Sequence, residues 1–409
     1  MVNRQLYMDK VLQFMDKDII KIITGIRRCG KSYLLKLIIN ELIKKGVNRN
    51  NILLMDFELP EYNNIKYRED LDEIVLNFIN TRNDKVYLLF DEVQNVENWE
   101  ISINSYYKLP NTDIYVTGSN SKLLSKDLTT FLTGRYISIE LYPFSFSEFC
   151  KYKEELNEKC IFKNELNSPL ENLFDEYLNY GGFPLAIMAK DYKTIVLNDL
   201  FSSIVLNDVV KRYEIRNVGL FFRITKYLME NVGNLISVNS IYNYLKHEDL
   251  KLTKNTVYNY LSYLEDAYFL LNATKEDLFG KKEIVGSEKY YLVDQGFYKA
   301  NLEEKQQNKC RILENIIYLE LLRKGYKVTT GKIKNYEVDF ICKKDGEKVY
   351  IQVSYLLSDE KTIEREFHPL LEIKDNYPKY VISMDKMNMS RDGIKHLNVI
   401  NFLKDSPQL

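Results

Sequence analysis

The chain has 409 residues, 45% of them hydrophobic and 28% charged, with only 8 Pro and 16 Gly. That composition excludes a fibrous or low-complexity protein, and the length exceeds what one hydrophobic core usually supports, so several domains are expected. A net charge of −1 excludes a global positive field that would draw the molecule to nucleic acid or an anionic membrane.

Five widely separated cysteines, Cys29, Cys150, Cys160, Cys310 and Cys342, suggest neither a disulfide framework nor a zinc site. The start, Met1-Val2-Asn3-Arg4-Gln5, lacks a signal-peptide pattern, and no stretch approaches the ~20 apolar residues of a membrane span. A cytoplasmic location without membrane attachment is the expectation.

In chain order, residues 19–24 form a β-branched run, followed by a Gly-bounded loop and an apolar segment of helical length, 33–39. Further strands are expected at 52–57, 86–90, 114–117 and 137–141. Segments long enough for crossover helices separate the first four, which predicts a parallel sheet covered on both faces. From about 145 to 235 helices are expected, including 173–180 and 196–210. Two helices, 237–245 and 253–264, with Ser237 and Thr253 as N-caps and a strand at 268–271, suggest a winged-helix module. A helix at 312–324 and strands at 338–342 and 349–353 predict a last α/β domain. The expected division is 1–145, 146–235, 236–288 and 289–409.

Gly25-Ile26-Arg27-Arg28-Cys29-Gly30-Lys31-Ser32 satisfies G-x-x-x-x-G-K-[ST] between a strand and a helix. In that pattern backbone amides wrap phosphates at a helix N-terminus. Gly25 to Tyr33 are therefore the expected ATP-binding residues, with Lys31 reaching the β- and γ-phosphates and the Ser32 hydroxyl on Mg²⁺. The strand 86–90 runs into Asp91-Glu92 at the sheet edge where ligands bind. Asp91 is expected to hold the magnesium through water and Glu92 to polarise the attacking water. At the end of another strand, Thr117-Gly118-Ser119-Asn120 offers Asn120, or Ser119, to orient that water. A plain turn is the competing reading. Arg135 is a candidate arginine finger, which would make the active form a homo-oligomer, or else a surface arginine paired with a carboxylate. Arg27 and Arg28 are candidates for nucleotide or intersubunit contacts, and Asp56 and Glu58 are assigned a structural role.

With Asp91-Glu92-Val93-Gln94, Trp99, Leu132-Thr133-Gly134-Arg135, Leu141-Tyr142-Pro143-Phe144, Gly181-Gly182-Phe183-Pro184 and Glu337-Val338-Asp339-Phe340 added, the chain resembles a family of prokaryotic AAA-type ATPases. Members carry a C-terminal domain of unknown function with a restriction-endonuclease-like core. The resemblance implies a P-loop parallel sheet of AAA type, a helical lid, a winged helix and an endonuclease-like α/β domain, in that order. It also implies ATP binding.

Two further readings concern the C-terminal half. The winged helix would present Lys251, Lys254, Asn255 and Tyr258 to DNA, yet residues 237–275 balance Lys246, Lys251, Lys254 and Lys275 against Glu248, Asp249, Glu265 and Asp266. A neutral module gains little from phosphate contacts, so packing or coupling to the ATPase is favoured over DNA binding. In the last domain Glu314, Asp339 and Gln352 follow the order of the endonuclease-like metal constellation. Its lysine position holds Ser354, so cleavage is not expected unless Lys348 or Lys361 substitutes in space. His247, His368 and His396 nominate no site. The leading expectation is magnesium-dependent ATP hydrolysis that moves C-terminal modules contacting a protein or DNA partner. A slow nucleotide-gated switch and an ATP-fuelled nucleic-acid-cleaving effector are the alternatives.

Overall fold

The apolar runs near the N-terminus form β1 (Ile20–Thr24), β2 (Ile52–Asp56), β3 (Val86–Asp91), β4 (Thr112–Gly118) and β5 (Tyr136–Glu140) of a parallel sheet ordered β2-β3-β4-β1-β5. These come from a computed structural model that describes residues 2–121, 132, 134–156, 168–246, 252–278, 280, 282–303 and 308–405. Every residue of β1 and β3 is buried, as a parallel sheet covered on both faces requires. On one side Ile22, Leu88, Phe90, Val116, Trp99 and Ile103 share a continuous core. The helix after the loop, α2 (Lys31–Lys44), buries Leu34, Leu35, Ile38, Ile39 and Leu42 at helical spacing. An N-terminal helix, α1 (Gln5–Phe14), was not expected from the sequence.

The chain divides into two compact units. One comprises Met1–Tyr142 with Asp266–Tyr268, and the other Pro143–Glu265 with Phe269–Leu409. The second begins with helices, among them Phe146–Glu155, Pro169–Tyr180 and Val218–Glu230. Reciprocal capping boxes start the first two, Ser145 with Glu148 and Ser168 with Glu171. The expected pair of helices is Val238–Leu245, capped by Ser237, and Lys254–Asp266, whose Thr256 N–H donates to Thr253 Oγ1 at 3.1 Å.

The rest of this unit is built on one mixed eight-stranded sheet. Its strands are β6 (Leu235–Ile236), β7 (Leu270–Asp277), β8 (Lys282–Leu292), β9 (Lys327–Ile333), β10 (Tyr336–Lys344), β11 (Glu347–Val353), β12 (Lys379–Ser383) and β13 (Lys395–Asn398). They lie in the order β13-β12-β11-β10-β9-β7-β8-β6. The boundary expected at 288/289 falls inside β8, because β7 pairs with β8 on one side and with β9 on the other. The strands assigned to a winged helix and those assigned to the last domain thus belong to one ladder. The helix Lys309–Arg323 packs on this sheet and buries Leu313, Ile316, Ile317 and Leu321.

Among the described residues no helix is long and apolar enough to cross a membrane.

Candidate nucleotide site and a second carboxylate cluster

The loop leaving β1 turns sharply because three of its residues take positive φ: Gly25 at 148°, Arg28 at 64° and Gly30 at 110°. Gly25 lies so close to the end of β5 that a Cβ there would stand 2.2 Å from the Leu141 carbonyl oxygen. The Leu141 N–H donates to Thr24 O at 2.7 Å and fixes that approach. Beyond Gly30 the first turn of α2 closes with Leu34 N–H on Gly30 O at 2.9 Å. A helix leaves its first amides without intrahelical partners, so those of Lys31, Ser32 and Tyr33 and the positive end of the helix dipole front this loop.

Inside the loop the buried Lys31 ammonium donates to Gly25 O at 3.1 Å and Ile26 O at 3.3 Å, and pairs with Glu92 Oε1 at 3.1 Å. Glu92 reaches it because β3 ends at Asp91 and Glu92 adopts φ 54°, which turns its carboxylate toward the loop instead of continuing the strand's alternation. Gln94 Nε2 donates to Glu92 Oε2 at 2.5 Å, and Ser119 also hydrogen-bonds this carboxylate. Burial pushes the Glu92 carboxyl up, but Lys31, Gln94 and Ser119 outweigh it and hold the group below its ordinary value. Burial likewise pulls the Lys31 ammonium down, and the Glu92 charge more than restores it.

Asp91 stands beside this pair. The Ser32 and Thr117 hydroxyls both hydrogen-bond its carboxylate, and Thr117 Oγ1 in turn accepts the Glu92 N–H at 3.0 Å. Burial nevertheless raises the Asp91 carboxyl above its usual value, with the charges of Glu92 and Asp56 adding. The hydroxyl of Ser32 with the carboxylate of Asp91 is the oxygen donor set a hard divalent cation takes, so the residues present fit Mg²⁺.

The structure brings Gly25 to Tyr33, Asp91 and Glu92 to one edge of the sheet. Ser119 and Asn120 are buried at the same edge, following β4. Arg27 pairs with Glu58 Oε1 at 2.7 Å, while Arg28 is exposed. Arg135 does not join them. Its carbonyl accepts the Ile20 N–H at the start of β1, so it lies at the opposite edge, roughly 16 Å from the loop at ~3.3 Å per strand residue. There its guanidinium donates to Asn104 Oδ1 at 2.5 Å and lies 5.7 Å from the centre of the Tyr107 ring. Among the described residues, both contacts lie away from the phosphate loop of its own chain.

Arg4 is a site residue that sequence reasoning missed. It is buried, its Nη1 donates to Cys29 O at 3.1 Å and its Nη2 to Tyr142 O at 2.6 Å. One guanidinium thereby ties the loop backbone to the chain leaving β5. Nothing in its spacing signals this, since the contact spans 138 positions.

In the second unit the structure gathers Glu314 from the helix Lys309–Arg323, Glu337 and Asp339 from β10, and Gln352 from β11. Lys289 of β8 lies at the centre. Its Nζ stands 2.9 Å from Glu314 Oε1, 2.5 Å from Glu337 Oε1 and 3.3 Å from Asp339 Oδ1. Neither Lys348 nor Lys361 supplies this cation: the Lys348 ammonium lies over the Tyr350 and Tyr377 rings, and Lys361 is exposed. The missed signal is Lys289 two positions before Tyr291, a charge on the buried face of a strand. Of the proposed DNA-facing residues, Lys254, Asn255 and Tyr258 occupy the first turns of their helix with Tyr258 exposed. Lys251, and the balancing Glu248 and Asp249, lie outside the described residues, as do Thr133, Cys160 and His247.

Residues 17–150 match the family model of an AAA domain, and residues 171–308 match a domain of unknown function, DUF8612. An uncharacterized protein of Haemophilus influenzae is 36% identical over 405 residues, covering 98% of each chain. An uncharacterized protein of Methanocaldococcus jannaschii is 36% identical over 358 residues, 85% of this chain and 77% of that one. Among solved structures, that of the Aeropyrum pernix ORC1 protein in complex with DNA matches at 10% identity and a TM-score of 0.32, covering 78% of this chain and 93% of that one.

Proposed function

The chain belongs to the family of AAA-domain proteins with a C-terminal DUF8612 region that includes these Haemophilus and Methanocaldococcus proteins, and from that premise we propose that it hydrolyses ATP to ADP and phosphate with Mg²⁺. The observation that carries this reading is the convergence of a buried lysine, an acid held ionised beside it, and a hydroxyl–carboxylate pair at one helix N-terminus.

In this reading the loop amides and Lys31 bind the β- and γ-phosphates, and Lys31 exchanges its pairing with Glu92 for the phosphate charge. Glu92, released from Lys31 and still oriented by Gln94 and Ser119, accepts hydrogen bonding from the attacking water and takes its proton. Asn120 lies at the same edge and orients that water with Ser119. Ser32, and Asp91 through water, would hold Mg²⁺, which when bound would neutralise charge on the phosphates. Thr117 is a positioning residue, because one hydroxyl holds both the Asp91 carboxylate and the Glu92 backbone. Residues 146–235 serve as the lid, and residues 236–288, as a winged helix, together with residues 289–409 serve as the modules that contact a protein or DNA partner in response to nucleotide.

Steady-state phosphate release from ATP with Mg²⁺, with Lys31→Ala and Glu92→Gln in parallel, tests the proposal. Turnover in wild type, lost nucleotide binding in Lys31→Ala, and retained binding without turnover in Glu92→Gln are expected. Wild type that binds ATP but releases no phosphate, with or without DNA, would reduce the reading to a nucleotide-gated switch.

A further inference from the structure

The constellation Glu314, Asp339 and Gln352 implies a divalent cation by its order along the chain, and the residues around it do not fit one. The Lys289 ammonium stands within 3.3 Å of oxygens from Glu314, Glu337 and Asp339, which come from a helix and a strand that a metal would be needed to bridge. Two of these carboxylates accept further donors. Tyr291 OH donates to the same Glu314 Oε1 at 2.7 Å, and the Val353 N–H donates to Asp339 Oδ2 at 2.9 Å. Gln352, uncharged, turns its Oε1 inward to accept the Asp339 N–H at 3.2 Å. The position two residues after Gln352, just beyond β11, where an activating lysine would stand, holds Ser354, whose Oγ donates to Leu356 O at 3.2 Å. Among the described residues no group of three or more His, Cys, Asp or Glu stands ready to hold a metal ion.

We propose that Lys289 is a tethered counter-ion that replaces a divalent metal in this carboxylate cluster, making the cluster a metal-independent tie and not a phosphodiester-cleaving centre. A lysine fixed on β8 offers one positive charge and three donors, which suits three carboxylate oxygens but leaves neither an open coordination position nor a water to activate. The carboxylates that surround Lys289 hold its ammonium charged against burial, and its charge in turn offsets part of the cost of burying them, although burial still raises Glu314 to about 7 and Asp339 above its ordinary value. The cluster thereby joins β8, β10 and the helix Lys309–Arg323 in the way a structural metal would, without depending on metal supply.

Equilibrium dialysis of the nucleotide-free full chain against MnCl₂ tests this. Wild type is expected to bind no Mn²⁺ that Asp339→Asn removes. Lys289→Met is expected to take up one additional Mn²⁺ per chain, lost again in Lys289→Met/Asp339→Asn, and to unfold about 5 °C higher in saturating Mn²⁺ than in EDTA. Lys289→Arg, which keeps a cation, is expected to behave as wild type. Wild type that binds a Mn²⁺ abolished by Asp339→Asn overturns the proposal, because ammonium and metal would then share the cluster. So does a Lys289→Met chain that stays folded in EDTA at wild-type stability, or one that Mn²⁺ fails to restore.

Discussion

Replacing Thr117 with valine preserves shape and removes one hydroxyl that serves two groups. The Glu92 N–H loses its acceptor inside the protein, a cost of about 1–3 kcal/mol, and the Asp91 carboxylate loses a charged hydrogen bond of about 1.5–3 kcal/mol. The added methyl returns less than about 1 kcal/mol, so a net loss of about 2–4 kcal/mol is expected. Trp99, the single tryptophan, is buried in the core of the same unit and reports its unfolding alone. With a urea slope of about 2 kcal/mol/M, the fluorescence midpoint should fall by about 1–2 M. Thr117→Ser should keep the wild-type midpoint to within about 0.5 M. ATP turnover should fall with the valine variant, because Asp91 and Glu92 lose their common support. A valine variant with an unshifted midpoint and undiminished turnover would refute the assignment of both bonds to this hydroxyl.

Gly25→Ala places a methyl 2.2 Å from Leu141 O at a φ that side chains avoid, so affinity for a fluorescent ATP analogue should drop at least about tenfold, read by anisotropy. Arg4→Met removes the tie between Cys29 O and Tyr142 O and leaves both buried carbonyls short of a donor; the Trp99 urea transition should show a loss of about 2–4 kcal/mol, with weaker nucleotide binding. Glu92 is held below its ordinary value of about 4.3, so its contribution to stability is present above that pH and lost as pH falls through the lower folded value. Thermal unfolding between pH 6 and 3 should therefore fall more steeply in wild type than in Glu92→Gln. Glu92→Gln should also reduce turnover by about 10²–10⁴-fold in a phosphate-release assay. Arg135→Ala should leave turnover unchanged at protein concentrations where the chain is monomeric, and a loss confined to high concentration would identify an intersubunit role.

Local signals survived translation into structure where they were backbone-driven. The phosphate loop was legible because glycines at 25 and 30 and a Lys-Ser pair between a β-branched run and an apolar helix have few other uses. The second unit was less legible. β8 and β9 lack an uninterrupted apolar run, since residues 282–289 include Lys282, Glu283, Glu288 and Lys289, and their pairing with β7 comes from contacts distant in sequence. Arg4 and Lys289 share the same difficulty: each is a charged side chain whose burial is justified only by acceptors dozens of positions away. The place of Arg135 could not be read from its neighbours, because sequence alone does not say that it sits at the beginning rather than the end of β1.

The ladder that passes from β6 through β8 to β13 also limits how this protein can be rearranged. A recombination breakpoint at residue 288 would sever a strand and leave β7 with an unpaired, adhesive flank, the kind of exposed backbone that templates aggregation. Fragments and chimaeras taken from this half should stay soluble when residues 235–398 travel together, and precipitate when they are split.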